Sequence, residues 1–332
     1  MQSLDLKVLS DALDWHRAGH AVTLFTVVQT WGSAPRPPGA LLALRADGVL
    51  SGSVSGGCVE DDLIARVKAG DGGGAAPEKP ALITYGVSKE EATRFGLPCG
   101  GTLRLLQEPL LDAAWVAQLL ARTAAHELVA RSVTLATGAV LLASAQPGQG
   151  LQFDGATLCS VFGPQWRLLL IGAGQLSQAV ASIAVMLDFE VLVCDPREEY
   201  AVTLGSGQSG IRRIEGMPDD VVREMVPDAH TAIVALTHDP KLDDMALIEA
   251  LQSAAFYVGA LGSKRNQDAR KQRLAEHFDL SAGALARLHG PVGLALGAKT
   301  PAEIAVAIVA EIVQIKNVVA GAPASSVGCV LP

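Results

Sequence analysis

The sequence predicts an α/β protein in which an N-terminal α+β domain precedes a Rossmann-like domain built on a doubly wound parallel sheet. Three observations carry this prediction. The run Trp166-Arg-Leu-Leu-Leu-Ile-Gly-Ala-Gly-Gln-Leu-Ser177 reads as a buried strand entering a glycine turn, and Glu190-Val-Leu-Val-Cys-Asp195 reads as the next strand, ending on a carboxylate. Apolar strand-like runs near Leu168, Val191, Ile211, Thr231 and Phe256 alternate with helical patterns near Leu176, Asp219, Leu242 and Gln267, as a parallel sheet requires. The first half of the chain lacks this alternation.

That half opens with a helical pattern over residues 4–18, with Leu6, Leu9, Ala12 and Leu13 on one side and Gly19 at its end. Strands follow at Val22–Gln29 and Ala40–Arg45, separated by the proline-rich loop Gly32-Ser-Ala-Pro-Arg-Pro-Pro-Gly39 with Arg36 as its one charge. Ala69–Pro80 contains three consecutive glycines and reads as an exposed excursion. Further strands are expected at Ala81–Tyr85, Thr102–Gln107, Arg131–Leu135 and Val140–Ala143, with a helix over Asp112–His126. The composition shift near Gln146-Pro-Gly-Gln-Gly150 divides the chain into 1–150, 151–320 and a tail, 321–332.

The chain has 332 residues, 49% of them hydrophobic, which is enough for two domains with sizeable cores. Lys plus Arg number 26 against 34 Asp plus Glu, a formal net charge of −8, which argues against nucleic acid or an anionic membrane as partner. No apolar run reaches the ~18 residues of a membrane span. The N-terminus has no basic region of a signal peptide, so the expected location is cytoplasmic. The five cysteines are widely spaced without a C-x-x-C pair, so neither a disulfide framework nor a structural zinc site is implied. His16 and His20 lack a third ligand.

In the Rossmann-like half, Gly172 and Gly174 allow a sharp turn and close approach of a phosphate, with the following helix N-terminus pointing N–H groups at it. Asp195, 21 positions after Gly174, stands where a carboxylate accepts from ribose hydroxyls. Thr237-His-Asp-Pro-Lys241 sits at the carboxyl edge of a strand. His238 reads either as an acid/base oriented by Asp239 or as part of an Asp-Pro helix cap. Gly259-Ala-Leu-Gly-Ser-Lys-Arg265 brings cations to the same edge, for phosphate or as the start of a solvated basic helix through Arg270, Lys271 and Arg273. Thr300-Pro-Ala-Glu303 is a capping box.

Two cysteines in the first half lie beside glycine pairs. Gly56-Gly57-Cys58 leads into a helix whose dipole favours a thiolate at its start, while Glu60, Asp61 and Asp62 oppose that effect; the bland alternative is an N-cap with a buried thiol. Cys99-Gly100-Gly101, after Pro98, reads as an exposed sulfur that a ligand can approach, or as a plain turn.

Taken together, Gly-Ser-Ala-Pro-Arg36, Gly-Gly-Cys58-Val-Glu60, Pro-Cys99-Gly-Gly101, Ile-Gly-Ala-Gly174, Thr-His-Asp-Pro-Lys241, Tyr-Val-Gly-Ala-Leu-Gly-Ser263 and Gly-Ala-Lys-Thr-Pro-Ala-Glu-Ile-Ala305 resemble the xanthine dehydrogenase accessory family, XdhC/CoxI, in order from about residue 8 to 315. The resemblance implies a molybdenum-cofactor chaperone without turnover of its own. Such a protein binds the cofactor, as molybdopterin or its cytosine dinucleotide form, supports its sulfuration by a cysteine desulfurase, and passes it to an apo molybdenum hydroxylase. At two positions the chain departs from the family pattern: Gln175 stands where relatives carry His, and Ala295 where they carry Asp. On this reading Cys99 and Cys58, as soft thiolates, are the candidate metal ligands. Gly56, Gly57, Gly100, Gly101, Gly172, Gly174, Asp195 and His238 complete the candidate cofactor-binding set. An NAD(P)-dependent oxidoreductase using His238 is the alternative, and a scaffold joining desulfurase to target a third. A homo-oligomer is compatible with either.

Overall fold

The computed structural model describes residues 3–31, 36–69, 79–86, 102–146, 148–200 and 210–321. Two compact units divide at Pro164 and Gln165.

The first unit begins with α1 (Ser3–Arg17), which ends at Ala18 and Gly19, where glycine supplies the positive φ of +83°. A five-stranded antiparallel sheet follows: β1 (Val22–Trp31), β2 (Leu41–Arg45), β3 (Leu50–Gly52), β4 (Ala81–Tyr85) and β5 (Thr102–Pro109), in spatial order β3-β2-β1-β5-β4. Helix α2 (Cys58–Ala69) lies between β3 and β4 in the chain, and α3 (Ala114–Ala124) follows β5. Seven consecutive residues at the start of β1 are buried, because the central strand is covered on both faces. Leu24 packs with Val8 and Leu9 of α1 and Val116 of α3, whereas its neighbour Phe25 packs with Val59 and Leu63 of α2. The two-residue period of the strand thus sorts its side chains between two helix layers.

A second antiparallel sheet completes the unit: β6 (Val129–Thr134), β7 (Val140–Ser144), β8 (Gln152–Phe153) and β9 (Thr157–Phe162), in order β7-β6-β9-β8. Strand β9 pairs with β6 along its whole length, so the first unit extends past residue 150. The two sheets are joined by an ion pair between Glu108 of β5 and Arg131 of β6, whose side chains are 5% and 3% exposed. The Arg131 guanidinium also lies over the Trp115 ring of α3, 4.1 Å from its centroid.

The second unit holds six parallel strands: β10 (Arg167–Ile171), β11 (Glu190–Cys194), β12 (Ile211–Ile214), β13 (Thr231–Ala235), β14 (Tyr257–Ala260) and β15 (Leu288–His289). Their order, β12-β11-β10-β13-β14-β15, is the Rossmann order 3-2-1-4-5-6, with its switch point between β10 and β13. Helices α4 (Gln175–Met186) and α9 (Pro301–Gly321) cover one face through Val180, Ala184, Ile308 and Ile312. On the other lie α5 (Pro218–Met225), α6 (Pro240–Gln252) and α7 (Lys264–Phe278), through Val222, Leu247, Leu251 and Leu274; the short α8 (Ala282–Ala286) precedes β15. Leu168 and Leu170 face the first layer, Leu169 and Ile171 the second, which is why this strand is apolar at every position after Arg167. The capping box forms as expected: Glu303 accepts from the Thr300 and Lys299 N–H groups at 3.0 and 2.8 Å.

Removing one partner of a buried ion pair leaves the other charge uncompensated. Glu108→Ala is therefore expected to cost about 3–5 kcal/mol of stability in urea denaturation, with Glu108→Gln costing less. Equal, small losses for both variants would contradict this role for the pair.

Candidate functional site

The first unit presents Cys58 as the opening residue of α2, exposed, with the exposed Gly56 and Gly57 before it. The loop that delivers it is shaped by Glu60. This carboxylate accepts from the backbone N–H groups of Val54 (2.9 Å), Ser55 (2.8 Å), Gly56 (3.0 Å) and Gly57 (2.8 Å). It also accepts from the hydroxyls of Ser53, at 2.8 Å, and Ser55. Burial pushes the Glu60 carboxyl up, but the bonds from Ser55, Gly56 and Gly57 outweigh that and hold it at about 2. Arg36 braces the same loop by donating to the Ser53 carbonyl at 3.3 Å. Glu60 therefore fixes the cysteine's loop, a role that its place among three consecutive acidic residues does not suggest. The local signal is a carboxylate three residues after a Ser/Gly run, the spacing of a capping box. Next to it, Asp62 accepts from Tyr85 at 2.9 Å and from Arg66 at 2.6 Å.

Cys99, Gly100 and Gly101 lie outside the described residues. Of the other cysteines described, Cys159 and Cys194 are buried, and burial pushes the Cys194 thiol up to about 12. Among the described residues no group of three or more His, Cys, Asp or Glu could hold a metal ion.

In the second unit Gly172, Gly174, Asp195 and His238 come together at the carboxyl edge of the sheet. Gly172 has φ +109°, and a Cβ there would stand 3.2 Å from the Leu236 and Thr237 backbone, so this glycine brings the loop after β10 against the loop after β13. At Gly174, the N-cap of α4, a Cβ would meet nothing within 4 Å. No side chain caps the helix, so an anionic group has room to approach the α4 N–H groups. Ser177, in the first turn, is buried with its hydroxyl unpartnered among the described residues.

Asp195 reaches across to the glycine loop, accepting from the Ala173 N–H at 2.9 Å. It is also paired with Arg197, which donates through its backbone N–H (3.1 Å), Nε (2.8 Å) and Nη2 (2.8 Å). Burial raises the Asp195 carboxyl, but the Arg197 guanidinium outweighs it and leaves the group below the ordinary range.

His238 is exposed at φ +62°, a conformation uncommon for a residue with a Cβ. Asp239 caps α6 by accepting from the Lys241 N–H at 2.9 Å, and Pro240 follows at the first helical position, so the helix-cap reading of this motif holds. Thr237 anchors the loop: its N–H and hydroxyl both donate to Asp243, at 3.1 and 2.7 Å. Asp243 pairs in turn with Arg270 at 3.1 Å, and Arg270 also donates to Asp244 and to the Leu261 carbonyl, each at 3.2 Å. Arg273 reaches Asp244 at 2.6 Å. Of the two readings of this segment, the solvated helix fails at Arg270, which is buried and ties the loops after β13 and β14 together, while Lys264 and Arg265 are exposed beside Ser263, the N-cap of α7.

These features define a two-unit protein: an α+β unit displaying a cysteine on a carboxylate-organised glycine loop, and a Rossmann unit with an open glycine loop at its switch point. The profile described as the XdhC Rossmann domain matches residues 168–312, and that of the XdhC and CoxI family matches residues 15–86. The chain belongs to the XdhC and CoxI family. It is 27% identical over 318 residues to the molybdenum cofactor insertion chaperone PaoD of Escherichia coli, covering 93% of this chain and 88% of that protein. It is 29% identical over 329 residues to a probable xanthine dehydrogenase component of Bacillus subtilis, covering 90% and 94%. A crystal structure from Bacillus halodurans, described as a xanthine dehydrogenase, shares the fold, with a TM-score of 0.73 at 23% identity over 98% of each chain.

Two outcomes follow. Glu60→Gln replaces an acceptor by an amide facing N–H donors, so it is expected to cost about 1.5–3 kcal/mol at neutral pH and to speed alkylation of Cys58 by iodoacetamide. Because the folded carboxyl titrates at about 2 rather than the ordinary 4.5, its contribution is full above 4.5 and fades as the pH falls toward 2; urea midpoints of wild type and variant should converge over that window. Gly172→Ala meets both a positive φ and a 3.2 Å contact and should cost ~1–3 kcal/mol, against less than about 1 kcal/mol for Gly174→Ala.

Proposed function

We propose that this chain is a molybdenum-cofactor chaperone: it binds the cofactor, supports its sulfuration by a cysteine desulfurase, and hands it to an apo molybdenum hydroxylase of the xanthine dehydrogenase or aldehyde oxidase type. The observation that carries this reading is the likeness, running through both units, to an Escherichia coli protein named a molybdenum cofactor insertion chaperone. The chemistry of the two candidate sites supports it. Cys58 offers an exposed soft sulfur beside Gly57, where a Cβ would meet nothing within 4 Å, so a bulky group can approach it. Cys99, between Pro98 and Gly100-Gly101, is the second candidate thiolate. In the Rossmann unit the space at Gly174 suits the cofactor's phosphate or pyrophosphate, with His238 and Asp195 at the same edge. In this reading residues up to about 150 supply the thiols, and the Rossmann unit supplies the phosphate-binding loop.

The cofactor is cargo here. A transient thiolate contact holds it without the multi-ligand cage of a resident metal, which suits release to a partner. Handover asks for brief contact, so the complex with the apo hydroxylase is weak and salt-sensitive. The setting is the cytoplasm, where the target chain is made. No helix among the described residues is long and apolar enough to cross a membrane.

The direct test is to purify the hydroxylase from cells lacking this protein. The expected product is folded and abundant but inactive, without its terminal molybdenum sulfur; full activity with a complete sulfur ligand overturns the assignment. With purified chaperone, Cys99→Ala or Cys58→Ala should lower cofactor bound per chain, and Gly174→Val should lower it while leaving the fold intact. Unchanged binding and target activation in both cysteine variants would remove the thiols from the mechanism.

A further inference from the structure

The carboxylate at the end of β11 is saturated. Its Oδ1 accepts from the Arg197 N–H and Nε, and its Oδ2 from the Ala173 N–H and the Arg197 Nη2. A carboxylate has about four acceptor positions, and all of them are taken. A nucleotide ribose bound in the usual Rossmann manner places its 2′- and 3′-hydroxyls on this residue, and here they would find no acceptor.

The arginine that fills those positions is itself held in place. It meets Asp195 side-on through Nε and Nη2, its guanidinium carbon lies 4.1 Å from the centre of the Tyr200 ring, and its side chain is 24% exposed. Nη1 has no acceptor among the described residues, so its edge of the rigid fork is preset for an incoming group. A phosphomonoester, with three strong acceptor oxygens and a charge near −2, matches such an edge; an unsubstituted ribose does not.

We infer that Asp195, Arg197 and Tyr200 make the crevice of the second unit selective for a phosphomonoester over a free ribose diol, with Arg197 as the specificity-determining residue. The inference rests on the reading that the glycine loop takes a phosphate-bearing ligand. Two sources supply this chemistry: the 2′-phosphate of a dinucleotide, and an alkyl phosphate such as the phosphate end of a pterin cofactor.

Calorimetric titration of the full chain with two matched pairs, NADP against NAD and 5′-CMP against cytidine, tests it and separates the sources. The wild type should prefer the phosphomonoester member of at least one pair by about tenfold or more. Arg197→Ala should abolish that preference and, by freeing Asp195, raise affinity for NAD, while Arg197→Lys, which keeps the charge but loses the fork, should retain only part of the preference. Equal affinities within both pairs in the wild type, a preference that survives Arg197→Ala, or no binding of any of the four compounds overturns the inference. The wild-type comparison stands even if a variant folds poorly. A preference found in a protein whose absence leaves the hydroxylase fully active would separate this inference from the chaperone assignment.

Discussion

Glu60 gathers the N–H groups of Val54-Ser-Gly-Gly57, Asp195 takes that of Ala173, Asp243 that of Thr237, and Glu311 that of Gly293. Each loop leaves a strand and turns through small or left-handed residues, so its backbone donors cannot join a ladder, and a buried donor without a partner costs about 1–3 kcal/mol. A single carboxylate, brought in from a helix or a neighbouring strand end, satisfies them and fixes the loop's path. The chemistry-bearing loops keep their shape through this one device, applied several times.

The device has an electrostatic consequence. Hydrogen-bond donors hold the Glu60, Asp195 and Glu311 carboxyls below the ordinary range despite burial, so these three fix geometry and are unavailable for proton transfer near neutral pH, whereas burial pushes the Asp243 carboxyl up. Among the described residues, the groups left for chemistry are a thiol at the Cys58 loop of the first unit, and an arginine edge, an imidazole and open helix N–H groups at the glycine loop of the second.

Much of the second unit is legible in the sequence because its signals are local. The Leu168–Ile171 strand, its glycine turn and the alternation of strand and helix each span a few residues, and right-handed crossovers between parallel strands make the sheet doubly wound. The capping box at Thr300 is read correctly for the same reason. What stays hidden depends on side-chain pairings that no local pattern announces. Arg270 reads as a solvent-facing cation until α6 brings Asp243 and Asp244 against it, 27 and 26 residues away. Asp195 reads as a free acceptor because nothing local says that Arg197 folds back onto it. Strand β9 is missed because its pairing with β6 crosses the Pro/Gly-rich stretch that looks like a boundary. At the Cys58 loop the sulfur is exposed, unlike the buried thiol of the N-cap alternative, and Glu60 is buried, since only the acid has donors to satisfy.

The charged clasp between the two sheets of the first unit also bears on how that unit responds to heat. Stripping water from a carboxylate and a guanidinium becomes cheaper as temperature rises, whereas the gain per unit of apolar surface levels off. The Glu108–Arg131 contact, sealed by Trp115, thus strengthens relative to the leucine-rich layers on either side of it. On warming, the seam between the sheets gains relative to the apolar contacts around it.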